Sequence, residues 1–527
     1  MTEFVTHLLV FTLRCSVCCF VLLYWSQMRN HRMAPALRFF SVQNISSGKW
    51  LTVLLTGALL LTPAHALQLK ATTVKLEHPA NGSLLRMPGQ PVLLVSGHNH
   101  EFRWLSRVDY AKNSTEQIAL PAQVQFFQAA TLAGHTGSQL VAMGQDALWH
   151  YQSDTKKWRQ LASAPSAYPV TDAKRMLELE FVADLDQNGL TDFLVPDFRA
   201  LQVLMQQKDG TFRTYTLPIA AQMQIFQKDP DFFLKTPRQV DYTLDGRTDI
   251  VFSVDDNLWV YPQQPDGSFA STATVVPLGV GLTPDVQAQQ RGGDGRSYEG
   301  LTITRLERLL DLNGDKVTDL VVQQQHYVDV MEQKYSYRIH YGRNDNGKLV
   351  FPTTADQQIN TTGVQFDVQF ADLDADGRLD FYTPAAEIGI SKIVSALLTG
   401  SASVDWLFYK QQADGSFGTK PVHRQEVDVG ISLGSGQFNL PVTAVLKGAD
   451  GKATLLKAED EDTLRSYAPV GAKLFSDKST RQNIKLPKRA INLLVNDLND
   501  DGKEDLVLPF GAQEAKGQTN QITILLQ

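Results

Sequence analysis

Short apolar runs of four to six residues recur along most of this 527-residue chain, separated by turns rich in Asp, Asn and Gly. Runs such as Leu201 to Met205 and Leu258 to Tyr261 are too short for helices and are bounded by turn residues, the pattern of buried β-strands. Asp209-Gly210, Asp266-Gly267, Asn346-Gly347 and Asp414-Gly415 are each followed within a few residues by Phe (Phe212, Phe269, Phe351, Phe417). Such pairs favour the type I′ turn of a β-hairpin, in which both central residues take positive φ. One segment breaks the strand pattern. Ile390, Ile393, Val394, Leu397 and Leu398 follow helical spacing, with Pro384 ahead and Gly400 behind. This predicts a helix inserted near 387–399, whose apolar stripe either packs over one face of the sheet layers or docks a partner.

Five of the strands are preceded by one acidic loop, starting at Asp184, Asp241, Asp311, Asp372 and Asp497. Positions 1, 3, 5 and 9 carry side-chain oxygens in every copy. They are Asp184, Asp186, Asn188 and Asp192 in the first loop, and Asp241, Thr243, Asp245 and Asp249 in the second. The third has Asp311, Asn313, Asp315 and Asp319, the fourth Asp372, Asp374, Asp376 and Asp380, and the fifth Asp497, Asn499, Asp501 and Asp505. Calcium takes six to eight oxygens, and carboxylates on alternate residues of a tight turn can converge on one ion. Backbone carbonyls at position 7 (Leu190, Arg247, Val317, Arg378, Lys503) complete the expected ligand set. Up to five structural calcium ions are therefore expected.

An EF-hand would need a bidentate Glu at position 12 and flanking helices. Position 12 here is Val195, Phe252, Val322, Thr383 or Leu508, each in a strand-like run, so that reading is excluded. Four of the five loops have Gly at position 6, where the backbone reverses. The third has Lys316 there, at a cost of about 1 kcal/mol for a left-handed Lys. The second offers a neutral Thr243 at position 3. The sites at Asp241 and Asp311 are expected to be the weaker ones.

The loop starts lie 57, 70, 61 and 125 residues apart, and the last interval hides a further unit at 447–456 (KGADGKATLL). Another weak unit starts at Thr131, with Thr131, Ala133, His135 and Gln139 at the ligand positions and no expected metal. Seven all-β units of about four strands each predict a seven-bladed β-propeller. The closing QITILLQ lacks partners of its own, and strands at 91–96 and 101–108 are expected to share a blade with it, tying the ring shut.

The loop D-x-[DNT]-x-[DN]-G-x-x-D running into a strand resembles the FG-GAP and VCBS-type repeats of integrin α-subunit propellers and of many exported bacterial proteins. The resemblance spans 129–527 and implies a seven-bladed propeller with calcium between strands of the marked blades. A third loop without Gly at position 6 departs from that pattern.

The first 66 residues read as export signals. Lys49 and Trp50 precede the apolar run 51–61, and Ala64-His65-Ala66 gives a small-x-small cleavage site after Ala66. An earlier apolar stretch, 4–25, is long enough to span a membrane. Either translation starts at Met33 and this stretch is upstream sequence, or it anchors the chain in an inner membrane. The remaining 67–527 is expected as a single exported domain, periplasmic or on the outside of a bacterial cell. Membrane contact is expected only through an uncleaved N-terminal segment. Cys15, Cys18 and Cys19 all lie in the export region, so the mature chain has neither a disulfide nor a thiolate ligand. Beyond Ala66 there are 44 basic and 55 acidic residues, a net −11, and 16 of the acidic ones are Asp at loop ligand positions. The acidity is thus concentrated in the loops, which argues against a nucleic-acid surface.

Other chemistry is sparse. The sequence contains no Gly-x-Ser-x-Gly, no phosphate-binding Gly-rich loop and no HExxH. His98-Asn99-His100 fits a turn between strands better than a nuclease motif. Arg103, Tyr327, Tyr335, Tyr337 and His340 either line a polysaccharide site or are strand residues in core and hairpin pairs. Two functional expectations follow. The favoured one is a monomeric, calcium-stabilised binding, scaffold or adhesion-type protein that recognises a protein or a carbohydrate. The other is a polysaccharide-active enzyme, a lyase or hydrolase, on the same fold, an analogy at fold level only.

Overall fold

Central strands such as Val92–His98 and Asp505–Phe510 are buried on successive residues, so each sheet must cover two apolar faces, and stacking sheets side by side around an axis does this. In the computed structural model the described residues are 67–168, 174, 178–226, 229–288, 298–328, 332–365, 367–387, 390–432, 437–511, 514–515 and 517–527. The export region expected at 1–66 lies outside them, as does most of the polar loop 287–299. Gln68–Gln527 forms one unit.

Among the described residues the sheets number eight with four strands or more, all antiparallel, and they make a propeller of eight blades where the sequence pattern predicted seven. Blade one is Leu84–Met87, Val92–His98, Arg103–Asp109 and Ser114–Ile118. Blade two runs from Val124–Ala130 to Lys157–Ser163, blade three from Val182–Ala183 to Phe212–Pro218, and blade four from Arg238–Val240 to Thr274–Pro277. Blade five holds Thr302–Leu310, Asp319–Tyr327, Gln333–His340 and Gln357–Thr362. Blade six is a six-stranded sheet whose innermost strand is broken into Val364–Gln365 and Gln369–Ala371, both paired with Asp380–Ala386. Blade seven runs from Thr443–Lys447 to Thr480–Asn483.

Blade eight closes the ring. Lys70–Lys75 lies antiparallel to Gln521–Leu526, in register from Lys70↔Leu526 to Lys75↔Gln521, and Asp505–Phe510 and Leu494–Asn496 follow inward. The strands expected to do this, at 91–96 and 101–108, instead belong to a blade of their own. That blade was hidden because its first turn, Pro88-Gly89-Gln90-Pro91, carries no acid. The true closing strand reads KATTVK and buries only Val74 fully, so it shows no apolar run.

Consecutive blades share apolar clusters. Leu93 and Val95 of blade one pack with Val507 and Ile524 of blade eight, and Phe193 and Val195 of blade three pack with Val141 and Met143 of blade two. Between blades five and six, Val321 and Ile339 meet Phe370, Phe381 and Tyr409. Phe381 has no exposed surface, and burying a side chain of that size contributes about 1.5–3 kcal/mol.

A helix, Ile390–Thr399, joins two strands of blade six, and a single turn, Asp285–Ala288, precedes blade five. Ala396 is buried and Leu398 exposed, while the side chains of Ile390, Ile393, Val394 and Leu397 lie outside the described residues. Among the described residues no helix is long and apolar enough to cross a membrane.

The Asp-Gly turns differ from expectation. Gly210, Gly267 and Gly415 have positive φ but Asp209, Asp266 and Asp414 do not, whereas Asn346 and Gly347 both do (54° and 81°). Only the last is therefore a type I′ turn. In the others Gly210 donates to Gln207 O and Gln207 to Thr211 O, a type I turn followed by a left-handed Gly.

Candidate functional site

The five acidic loops join the first strand of a blade to the second, and they share one hydrogen-bonding plan. The position 1 carboxylate accepts two backbone N–H groups from the turn. Asn188 and Gly189 donate to Asp184 at 3.0 Å each, Asp245 and Gly246 to Asp241 at 3.1 and 2.8 Å, and Asp376 and Gly377 to Asp372 at 3.2 and 3.0 Å. In the fifth loop Asp501 and Gly502 donate to Asp497. The third loop uses Gly314 and Lys316 on Asp311, both at 2.8 Å. Position 5 then accepts the N–H of position 7. The donors are Leu190 to Asn188, Arg247 to Asp245, Val317 to Asp315, Arg378 to Asp376 and Lys503 to Asp501, at 2.7–3.0 Å.

Positions 4 and 6 are both left-handed in every loop. Position 4 is Gln187, Leu244, Gly314, Ala375 or Asp500, and position 6 is Gly apart from Lys316, at φ 69°. The third loop has therefore exchanged its Gly with position 4. A Cβ on Gly314 would come 2.6 Å from Gly377 O of the next blade's loop, so a side chain is excluded there.

Position 9 serves the sheet as much as the loop. Asp192, Asp249, Asp319, Asp380 and Asp505 are buried. One oxygen of each accepts the N–H of position 2, from Leu185, Tyr242, Leu312, Leu373 and Leu498, at 2.9–3.2 Å. The other accepts an N–H at the end of the third strand, from Gln206, Gln263, Gly342, Gln411 or, at the chain's C-terminus, Gln527. Burial pushes Asp192, Asp319 and Asp380 up to about 7 in spite of these bonds, and it raises Asp249 and Asp505. A carboxyl group raised in this way stabilises the fold below the ordinary carboxylate range, and that contribution is lost as pH climbs towards 7.

The glutamines were not foreseen as part of the site. Gln206 Nε2 reaches Thr131 O and Thr191 O, Gln263 Nε2 reaches Leu185 O, and Gln527 Nε2 reaches Lys447 O. These three tie the first, second and fifth loops to the corresponding loops of the preceding blades. The signal was present as a repeated Gln-Gln-x-Asp-Gly at 206–210, 263–267 and 411–415.

The carboxylates converge in two loops. One oxygen from each of Asp184, Asp186 and Asp192 lies within 4.8 Å of the others, and the same holds for Asp372, Asp374 and Asp376. In the fourth loop Asp374 Oδ1 is buried and has no hydrogen-bond partner among the described residues. Basic side chains pair with four of the acids at ligand positions among the described residues. Lys410 pairs with Asp374 and lies 3.6 Å from Asp376, Arg378 pairs with Asp376, Arg247 with Asp245, and Lys503 with Asp501 at 3.2 Å. In the second loop the Thr243 hydroxyl turns to Asp249 at 3.0 Å. In the third, Asn313 Nδ2 donates to Asp315, and in the fifth Asn499 accepts from Asp501 N. The degenerate loop at Thr131 packs His135 edge-on against His150, ring centroids 4.8 Å apart.

The other end of the strands differs. There lie the links between second and third strands and the crossings from blade to blade. They carry the helix Ile390–Thr399, the turn Asp285–Ala288, and a hairpin of Gln222–Phe226 with Asp229–Phe233. Of the large hydrophobic side chains exposed among the described residues, Phe102, Phe198, Met223, Phe232 and Leu398 sit on these links. Phe198 and Phe232 meet edge-on, centroids 4.9 Å apart.

Residues 311–383, from the third acidic loop to the strand after the fourth, match the family model described as FG-GAP-like repeat. No curated protein matches the chain. Among solved structures, a lectin of Agrocybe aegerita described as recognising non-reducing terminal N-acetylglucosamine is 13% identical and has a TM-score of 0.40, covering 79% of this chain and 94% of its own. The Dos1 propeller is 8% identical with a TM-score of 0.44, covering 87% and 94%. A putative 6-phosphogluconolactonase of Bacteroides fragilis is 11% identical with a TM-score of 0.32, covering 75% and 96%. Likenesses of this size carry no functional argument.

Proposed function

We propose that this FG-GAP-type propeller is an exported binding or scaffold protein, stiffened by calcium at one end and recognising a protein or glycan with the other. The observation that carries the reading is the placing of exposed apolar side chains. Phe198 and Phe232 touch on the links opposite the acidic loops, Met223 faces Phe232 across its hairpin, and a gathered group of exposed apolar side chains supports a contact site there, while Phe102 and Leu398 stand singly on other links. The acidic end, by contrast, is built of short turns that repeat one plan.

For the metal, Asp184, Asp186 and Asp192 would hold one ion and Asp372, Asp374 and Asp376 another, with position 7 carbonyls and water as further ligands. Bound calcium would supply positive charge that lets several carboxylates sit together in one turn. It would stabilise the native loops by mass action. Displacement of Lys410 and Arg378 from Asp374 and Asp376 is part of this reading. Asp241, Asp311 and Asp497 would anchor weaker sites.

The test is a glycan array and a panel of purified surface proteins probed with the full chain and with a Phe198→Ser, Phe232→Ser double variant. Loss of a wild-type signal in the variant supports the reading. An identical pattern from both proteins would remove this end of the molecule from recognition.

A further inference from the structure

The five acidic loops carry one ligand pattern but face different cations. In the second and fifth loops the basic residue at position 7 pairs with the acid at position 5, Arg247 with Asp245 and Lys503 with Asp501. The fourth loop does the same with Arg378 and Asp376. It then takes a second cation from outside the loop. Lys410 Nζ pairs with Asp374 at position 3 and lies 3.6 Å from Asp376. The side chains of Lys410 and Asp374 are each only 16% exposed, so salt screens the pair little. Lys410 precedes the residue whose N–H reaches position 9, and at that place the other blades have Met205, Pro262, Tyr341 and Leu526. The first loop, with Leu190 at position 7 and Met205 here, has a basic residue at neither place.

The fold fixes the backbone of Lys410 beside the loop. Tyr409 pairs with Phe381 in the sheet, and Gln411 N donates to Asp380 Oδ1 at 2.9 Å. The loop is held from both sides as well. Leu379 N donates to Leu312 O of the third loop, and Ala453 N of blade seven donates to Leu373 O, both at 2.8 Å. Asp374 also forms an isolated antiparallel bridge with Lys452. One oxygen of each of Asp372, Asp374 and Asp376 lies within 4.8 Å of the others, a donor set that suits calcium. The Lys410 ammonium stands against two of those three acids. Like charges at such separations in a partly buried site repel strongly, so ammonium and calcium exclude each other there.

We propose that Lys410 is a built-in competitor of calcium in the fourth loop, so that this site fills only at higher calcium than the loop at Asp184. Carboxylate count alone ranks the two the other way, with four at the ligand positions of the fourth loop and three in the first. An ammonium on a flexible four-carbon stem can leave the acids without moving the backbone. Calcium binds only the state in which it has left. If that state holds about one molecule in ten, the apparent affinity falls about tenfold. The proposal rests on the reading that the acidic loops bind calcium, and it assigns to Lys410 the setting of affinity at one of them.

The test follows hydrogen exchange of the full chain by mass spectrometry at rising calcium, reading peptides over 184–192 and 372–380. In the wild type, 372–380 should gain protection at about tenfold more calcium than 184–192. Lys410→Met keeps an unbranched stem and removes the charge. It should lower the 372–380 midpoint at least fivefold and leave the 184–192 midpoint where it was. A 372–380 segment that responds only in the variant supports the proposal equally. The proposal fails if the two wild-type segments respond together, or if Lys410→Met moves the 372–380 midpoint less than twofold. It fails too if both midpoints move alike, since a change of overall charge would do that. Should Lys410→Met not fold, the order of the wild-type midpoints decides. A responding 184–192 beside a 372–380 silent in both proteins sinks this inference and leaves calcium binding standing. Silence of both segments in both proteins sinks both.

Discussion

Asp192 accepts the backbone N–H of Gln206 at 2.8 Å with one carboxylate oxygen and that of Leu185 at 2.9 Å with the other, so one buried side chain pins a loop to two strands. The same bridge recurs at Asp249, Asp319, Asp380 and Asp505. The ninth position of the acidic loop therefore has a structural duty that needs no ion.

Asp192→Ala leaves two buried N–H groups without acceptors, and each is worth about 1–3 kcal/mol. The variant should lose about 2–6 kcal/mol of stability in urea unfolding, with chelator present throughout. Asp186→Ala, which removes a side chain on the exposed side of the same loop, should change stability by less than about 0.5 kcal/mol under those conditions. Equal losses in the two variants would show that position 9 has no bridging role.

Calcium should matter on top of this. Adding chelator to the full chain should lower Tm by several degrees, and excess calcium should restore it, as expected for an ion bound only by the native loops. Asp374→Ala should weaken one site and leave the others, because its loop shares no carboxylate with theirs. Superimposable melting curves with and without chelator would rule out a stabilising ion.

Much of this was readable from the residues alone. The acidic loops, the strands behind them and a helix at 390–399 all announce themselves by spacing. Blade one did not, because its turn at Pro88-Gly89-Gln90-Pro91 carries none of the acids that marked the other units, so the ring counted one blade short. The closing strand Lys70–Lys75 was invisible for a related reason: an outermost strand covers only one partner and needs few apolar residues. Turn type went astray at Asp209, Asp266 and Asp414 because register, more than the dipeptide, decides whether a hairpin closes in two residues or more. The clamp between Asp192 and Gln206 depends on strands meeting in space, and spacing within one loop does not report that.

The exchange of Gly and Lys in the third loop gives a test of backbone strain. Lys316 holds φ at 69° where the other four loops have Gly. Lys316→Gly removes that strain but frees the unfolded chain, so a gain of only about 0.5–1 kcal/mol is expected. Gly314→Ala should cost more than Gly502→Ala. Both glycines have positive φ, but only Gly314 also meets a neighbouring backbone, at Gly377 O. If the two Ala variants melt together, the contact between the third and fourth loops is not tight.

His340 sets part of the acid limit of the fold. It is fully buried on the third strand of blade five, its Nδ1–H donates to Pro352 O at 2.7 Å, and Nε2 has no partner among the described residues. A second proton would sit on Nε2 with no acceptor, and burial accordingly pulls the pKa below the usual imidazole value. The unfolded chain takes up that proton near pH 6.5, and the folded chain does so only at lower pH. Stability is thus intact above about pH 6.5 and falls as pH drops through that value towards the folded pKa. His150 and His423 are lowered by burial in the same sense and add to the fall. His340→Asn keeps a donor for Pro352 O and removes the titration, so its Tm should fall less between pH 7 and pH 5 than that of the wild type, whatever its absolute Tm. A parallel fall in both proteins would show that His340 is protonated without cost, and the burial argument for it would be wrong.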